Sequence, residues 1–168
     1  MLRYVAMALA ILLMAAIFWS SSRSIDQSRG DSAWFMVMVG LADCPDEAGD
    51  TRDPAMMRRH NMTRKIVGHL VVFGTLAALL FASVYGYFGG IAKTALIALV
   101  FTAFYGATDE FHQIFTDRGA SWFDVWLNTV GAAISVTVAG LVFLLIEKNR
   151  VLRKYFGMVY RLEPRRKS

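Results

Sequence analysis

Cysteine occurs once in this chain of 168 residues, at Cys44. That excludes an intrachain disulfide framework and any multi-cysteine metal cluster. Charge is scarce too, at 18% of residues, against about 25% in an ordinary soluble domain. The sequence carries no HExxH zinc pattern and no glycine-rich phosphate loop, and no Ser-His-acid triad can be assembled from it. It has no internal repeat. After the first apolar run come Ser20, Ser21, Ser22 and Arg23, without a clear small-x-small cleavage site, so that run is expected to stay as a helix. Apolar residues are what the chain has in abundance. They make up 56% of it, with a mean hydropathy of +0.43, an excess that calls for a solvent other than water.

The hydrocarbon core of a bilayer is about 30 Å thick and takes roughly 20 helical residues to cross. Four segments qualify: residues 4–19, 66–87, 91–108 and 122–146. The first is uncharged; the others contain His69, Lys93 and Asp124 as their ionisable residues, the last two near the segment starts. Backbone groups in lipid must bond internally, so these are expected to be helices and the fold an all-α bundle. Residues 1–146 would form the transmembrane domain and residues 147–168 a basic tail.

Four spans place both termini on one side. That side holds ten Lys and Arg residues against eight on the other, but only two of the thirteen acids. With the dense basic tail, the balance puts both termini in the cytoplasm. The net charge of +5 therefore reads as a membrane signal, and no nucleic-acid partner is expected. In the tail, Leu152, Tyr155, Phe156, Val159 and Leu162 recur at helical spacing beside Arg150, Arg153, Lys154 and Arg161. The pattern fits an amphipathic helix on an anionic leaflet, or simply a positive tail that fixes topology. In the long first loop, residues 33–42 are too short to span and are expected to form a helix lying on the outer surface. Residues 46–59 carry charge without a period.

Lipid gives helices no hydrophobic reason to associate, so small residues that allow close approach matter. Gly74, Ala78, Ala82 and Gly86 form one such row, Ala98, Thr102 and Gly106 a second, and Gly131, Ser135 and Ala139 a third. These rows predict a tight bundle.

Connectivity then sorts the polar residues. The second span begins, the third ends and the fourth begins on the same side. Lys65 and His69 therefore share a level with Asp109, Glu110, His112 and Gln113, with Arg118 in the following loop, and with Asp124 and Asn128. The serines ending the first span lie there too, while the opposite end has Lys93 and terminal charges. Lys65 and His69 are four apart, as are Asp124 and Asn128, so each pair shares a helical face. Thr102, Tyr105, Asp109 and His112 would share another. Polar side chains inside the membrane boundary are costly unless they face one another, which makes His69 and Asn128 functional candidates. Structural roles stand beside this reading. His69 could simply bond a neighbouring helix, Asp109 or Asp124 could clamp Arg118, and Lys65 could be an interfacial anchor. Asp124 also suits a helix N-terminus, and Trp19, Trp34, Trp122 and Trp126 fit an aromatic belt.

The run YGATDEFHQIFTDRGASWFDVWLNTVGA, Tyr105 to Ala132, resembles the signature of the VanZ-like family of bacterial membrane proteins. Asp109, Glu110, His112, Gln113, Arg118, Gly119, Asp124, Asn128 and Gly131 carry the match without a gap. Trp19 to Ser22 looks like the family's Ser-Ser after its first helix, and Lys65 with His69 like its Lys-His pair, although the gap here is four residues rather than three. The resemblance covers about residues 17–146 and implies a small multi-pass protein of the cytoplasmic membrane. The namesake is associated with low-level resistance to teicoplanin, a lipid-tailed glycopeptide that acts at the outer face of that membrane.

Three functions compete at this point. The polar end could bind or modulate a lipid-linked envelope molecule or lipoglycopeptide, with membrane lipids as its other partners. It could belong to a metal-assisted hydrolase or transferase acting on a lipid headgroup, since two histidines and three carboxylates could supply ligands and a general base. A transporter is disfavoured, because four helices would need to dimerise to form a path and the charges gather at one end. No cofactor is expected from any motif, and the oligomeric state stays open.

Overall fold

The computed structural model describes residues 2–24, 65–85, 87–88, 90–116 and 119–160, with isolated positions between residues 27 and 62. The surface helix expected at residues 33–42 lies, apart from isolated positions, outside the described residues. Arg118 does as well, and so do residues 161–168 of the tail.

Among the described residues, four helices are long and apolar enough to cross a membrane: α1 (Leu2–Ser21), α2 (Ile66–Val84), α3 (Ile91–Thr116) and α4 (Trp122–Lys148). A fifth helix, α5 (Arg150–Tyr160), follows. No strand occurs among the described residues, so the expected all-α membrane bundle is the fold. The boundaries differ instructively from those read off hydropathy. α3 runs past residue 108 as an α-helix to Gln113 and a 3-10 turn to Thr116, because Asp109, Glu110 and Gln113 are buried inside the bundle and a polarity count cannot see that. α2 ends at Val84, where Tyr85 turns to an extended conformation.

α4 packs on both α2 and α3, and α1 lies chiefly along α2. The core is drawn from Phe73, Leu76, Ala77, Leu80 and Phe81 of α2, Ala10 and Ile17 of α1, Ala98 of α3, and Ala132, Val136 and Phe143 of α4. Leu96, Phe104, Val138, Leu141 and Leu145 point outward and are exposed. Helices apolar on every side are what lipid surroundings require.

Small residues set the α2–α4 crossing. A Cβ added to Gly131 would strike the carbonyl oxygen of Leu70, and one added to Gly74 would lie 2.7 Å from Ser135 Oγ. The two backbones therefore touch where the glycine rows predicted close approach.

The ends are tied locally. Ser121 caps α4, its hydroxyl accepting from the Asp124 N–H, in a Ser-x-x-Asp capping pattern. Asn149 breaks α4 from α5, and its Oδ1 accepts from the N–H groups of Val151 and Leu152. α5 then folds back so that Phe156 meets Phe143 edge-on at 5.4 Å. At this same end the Tyr85 hydroxyl donates to Glu147 Oε1 at 2.5 Å. Arg150, Arg153 and Lys154 are exposed beside Val151 and Leu152, so the one described part of the tail is an amphipathic helix.

Candidate functional site

At the other end of the bundle, the start of α2 is wound as a π-helix over Ile66–Val71. Wide turns of this kind are rare and gather at functional sites. Here the wide turn carries His69 and sets the Leu70 carbonyl against Gly131.

His69 Nδ1 lies 3.1 Å from Asn128 Oδ1. An amide oxygen only accepts, so Nδ1 donates this hydrogen bond, and in the neutral imidazole the lone pair falls on Nε2. Nε2 lies 3.8 Å from Asp124 Oδ2, and Nδ1 lies 3.8 Å from Glu110 Oε1. Lys65, one helical step before His69, reaches Asp124 Oδ1 at 2.6 Å and holds its ammonium 5.2 Å from the Phe123 ring centre. α2, α3 and α4 thus meet through His69, Glu110, Asp124 and Asn128, with Lys65 beside them.

Glu110, only 3% exposed, accepts from the Ser121 backbone N–H through Oε2 at 3.0 Å. The carboxylate of α3 is thereby fixed on the residue that caps α4. Gln113 Nε2 donates to Asp109 Oδ2 at 3.0 Å and stands 3.5 Å from both Glu110 Oε1 and Ser21 Oγ. Thr116 Oγ1 donates to the Ser21 carbonyl at 3.1 Å. α1 joins through these contacts. A buried polar group is tolerable when its partners are supplied, and here they come from four different helix ends.

Asn128 is fully buried, yet its Nδ2 finds no partner among the described residues, and neither does the buried Thr102 Oγ1. Gly106 makes room for the amide, since a Cβ there would stand 2.9 Å from Nδ2.

Of the residues singled out from the sequence, Lys65, His69, Glu110, Asp124 and Asn128 form one contiguous group, and Asp109 and Gln113 adjoin it. His112 does not enter it. Its ring stacks on Phe18 at 4.6 Å. Its Nε2 is 3.0 Å from Ser22 Oγ, whose own proton goes to the Phe18 carbonyl. The expected shared face of Thr102, Tyr105, Asp109 and His112 therefore divides. Thr102 and Asp109 are buried in the bundle, while Tyr105, donating to the Met14 carbonyl at 2.7 Å, and His112 turn to α1. Steps of three residues fall short of a full turn, and over ten residues the drift selects a different neighbour. Ser121 and Phe123 were missed by the sequence reading. The capping pattern signalled Ser121; nothing signalled Phe123.

One nitrogen of His69 and one oxygen from each of Glu110 and Asp124 lie within 4.8 Å of one another. Around this end stand exposed aromatic side chains: Phe111, Phe115, Phe123, Trp126 and Trp122, the last 88% exposed.

An apolar bundle of four spans, with ionisable side chains enclosed at one end, is a multi-pass membrane protein. This chain belongs to the VanZ/LLP1 family, whose pattern it matches over residues 6–145. The resemblance expected over about residues 17–146 thus lies almost wholly within the matched stretch. No curated protein matches it, and no solved structure does.

Proposed function

We propose that this protein binds a lipid-linked cell-envelope molecule or a lipoglycopeptide at the polar end of its bundle. In this reading it sits in a bacterial cytoplasmic membrane with both termini inside, and the polar end meets the outer leaflet. One observation carries the reading: His69, Glu110, Asp124 and Asn128, from three helices, face one another instead of lipid. Ionisable groups enclosed at membrane depth mark functional sites by default. Lys65 is 35% exposed in its side chain, so its ammonium keeps donors for an incoming anion while Asp124 holds it in place. The surrounding exposed aromatic residues suit the headgroup level, where amphipathic rings settle.

The test is binding of fluorescent teicoplanin to the full chain in nanodiscs, together with teicoplanin sensitivity of cells expressing it. Lys65→Ala, Arg118→Ala and Asp109→Asn should each weaken binding and alter sensitivity. Normally inserted variants that change neither would end this reading.

The meeting of His69, Glu110 and Asp124 favours a second reading, a metal-assisted hydrolase or transferase acting on a lipid headgroup. Unchanged lipid pools in a strain lacking the protein would remove it.

A further inference from the structure

We infer that His69, Glu110 and Asp124 bind one divalent transition-metal ion of the zinc class. The candidate site holds two histidines and three carboxylates, and the geometry chooses among them. One donor atom from each of these three residues lies within 4.8 Å of the others, whereas His112 is turned to Ser22 and Phe18. Ligands at about 2.0–2.2 Å from a zinc ion sit somewhat closer to one another than this, so a contraction of rotamer size closes the set.

Each proposed ligand also has an outer partner that holds it in place. Asn128 Oδ1 accepts from the His69 Nδ1–H, which in the neutral imidazole leaves the lone pair on Nε2, 3.8 Å from Asp124 Oδ2. Lys65 occupies the other Asp124 oxygen, Oδ1. The Ser121 N–H holds Glu110 Oε2, while Oε1 lies 3.8 Å from His69 Nδ1 and 3.5 Å from Gln113 Nε2. A histidine bonded through its second nitrogen, and carboxylates held through their second oxygens, are the supports that metal ligands need. Three protein ligands are one short of the tetrahedral four, which is the composition of a site that also accepts an external ligand. A phosphate or carboxylate oxygen of a bound amphiphile could fill that position. The ion would supply what the second reading of function requires, but its binding requires no catalysis.

The experiment uses the full chain, purified in detergent through a histidine-free tag, exposed to zinc, washed, and analysed for metal content and affinity. The expected result is about one zinc per chain. His69→Ala and Asp124→Ala should abolish stoichiometric uptake, and His112→Ala should keep it. Asn128→Ala should weaken affinity roughly 10–100-fold, as loss of an outer partner does, and Asn128→Asp, which keeps an acceptor for Nδ1, should restore much of it. Should His69→Ala fail to fold, His69→Cys in a Cys44→Ser background loaded with cobalt should show a thiolate charge-transfer band. No stoichiometric zinc on the natural chain, equal uptake by a folded His69→Ala, equal loss in His112→Ala, or no such cobalt band would each overturn the inference. Teicoplanin binding, measured with and without zinc, separates the two ideas. Metal uptake without ligand binding sinks the proposed function alone, and ligand binding by a chain that takes up no metal sinks this inference alone.

Discussion

Lys65 Nζ stands 2.6 Å from Asp124 Oδ1, which joins the first turn of α4 to the residue that precedes α2. The pair is partly enclosed, so removing one member leaves a charge with poor solvation. Lys65→Met and Asp124→Leu should each lower the thermal stability of the detergent-solubilised protein, by about 1–3 kcal/mol. The double variant should lose less than the two losses added, with a coupling of about 1 kcal/mol or more. Strict additivity in that double-mutant cycle would show that the contact contributes nothing.

The α2–α4 crossing makes a sharper contrast. Gly131→Ala forces a Cβ onto the Leu70 carbonyl, and overpacking of this kind costs about 1–3 kcal/mol. Gly68 lies in the same π-helical segment of α2, but a Cβ there meets nothing within 4 Å. Gly68→Ala should be neutral or slightly stabilising. Unfolding followed by circular dichroism would compare them, and equal effects would contradict the crossing.

At the opposite end, Tyr85→Phe removes the hydrogen bond to Glu147. A loss of about 1 kcal/mol is expected, with no change in zinc uptake or teicoplanin binding, because the polar group lies at the far end of the spans. A changed affinity at that distance would mean that the two ends are coupled.

The proposed orientation has its own measurement. Phe115 is exposed beside the polar end, so Phe115→Cys in a Cys44→Ser background should react with a membrane-impermeant maleimide added to intact cells. Labelling only after the cells are opened would reverse the orientation and move the proposed site to the cytoplasmic face.

Several features were legible before any coordinates. Long apolar runs define the spans, because an apolar helix has no other place to satisfy its backbone and hide its side chains. The sides on which Lys65, His69, Glu110 and Asp124 fall follow from counting spans. The small-residue rows containing Gly74 and Gly131 foretold a tight bundle. Less legible was the end of α3, where burial of Glu110 and Gln113 against other helices makes polar residues part of a span. The surface helix expected at residues 33–42 lies, apart from isolated positions, outside the described residues.

The sequence by itself determined that this is a four-span membrane protein of the VanZ/LLP1 family with its polar residues collected at one end. Hydropathy and connectivity are one-dimensional properties, and they suffice for that. Tertiary structure decided which of those polar residues touch. His69 and His112 have similar claims on paper, but helix rotation and the π-turn send one to Asn128, Glu110 and Asp124, while the drift of α3 sends the other to Ser22. Rotation about a helix axis is set by packing against neighbours, and no pattern along a single chain records it.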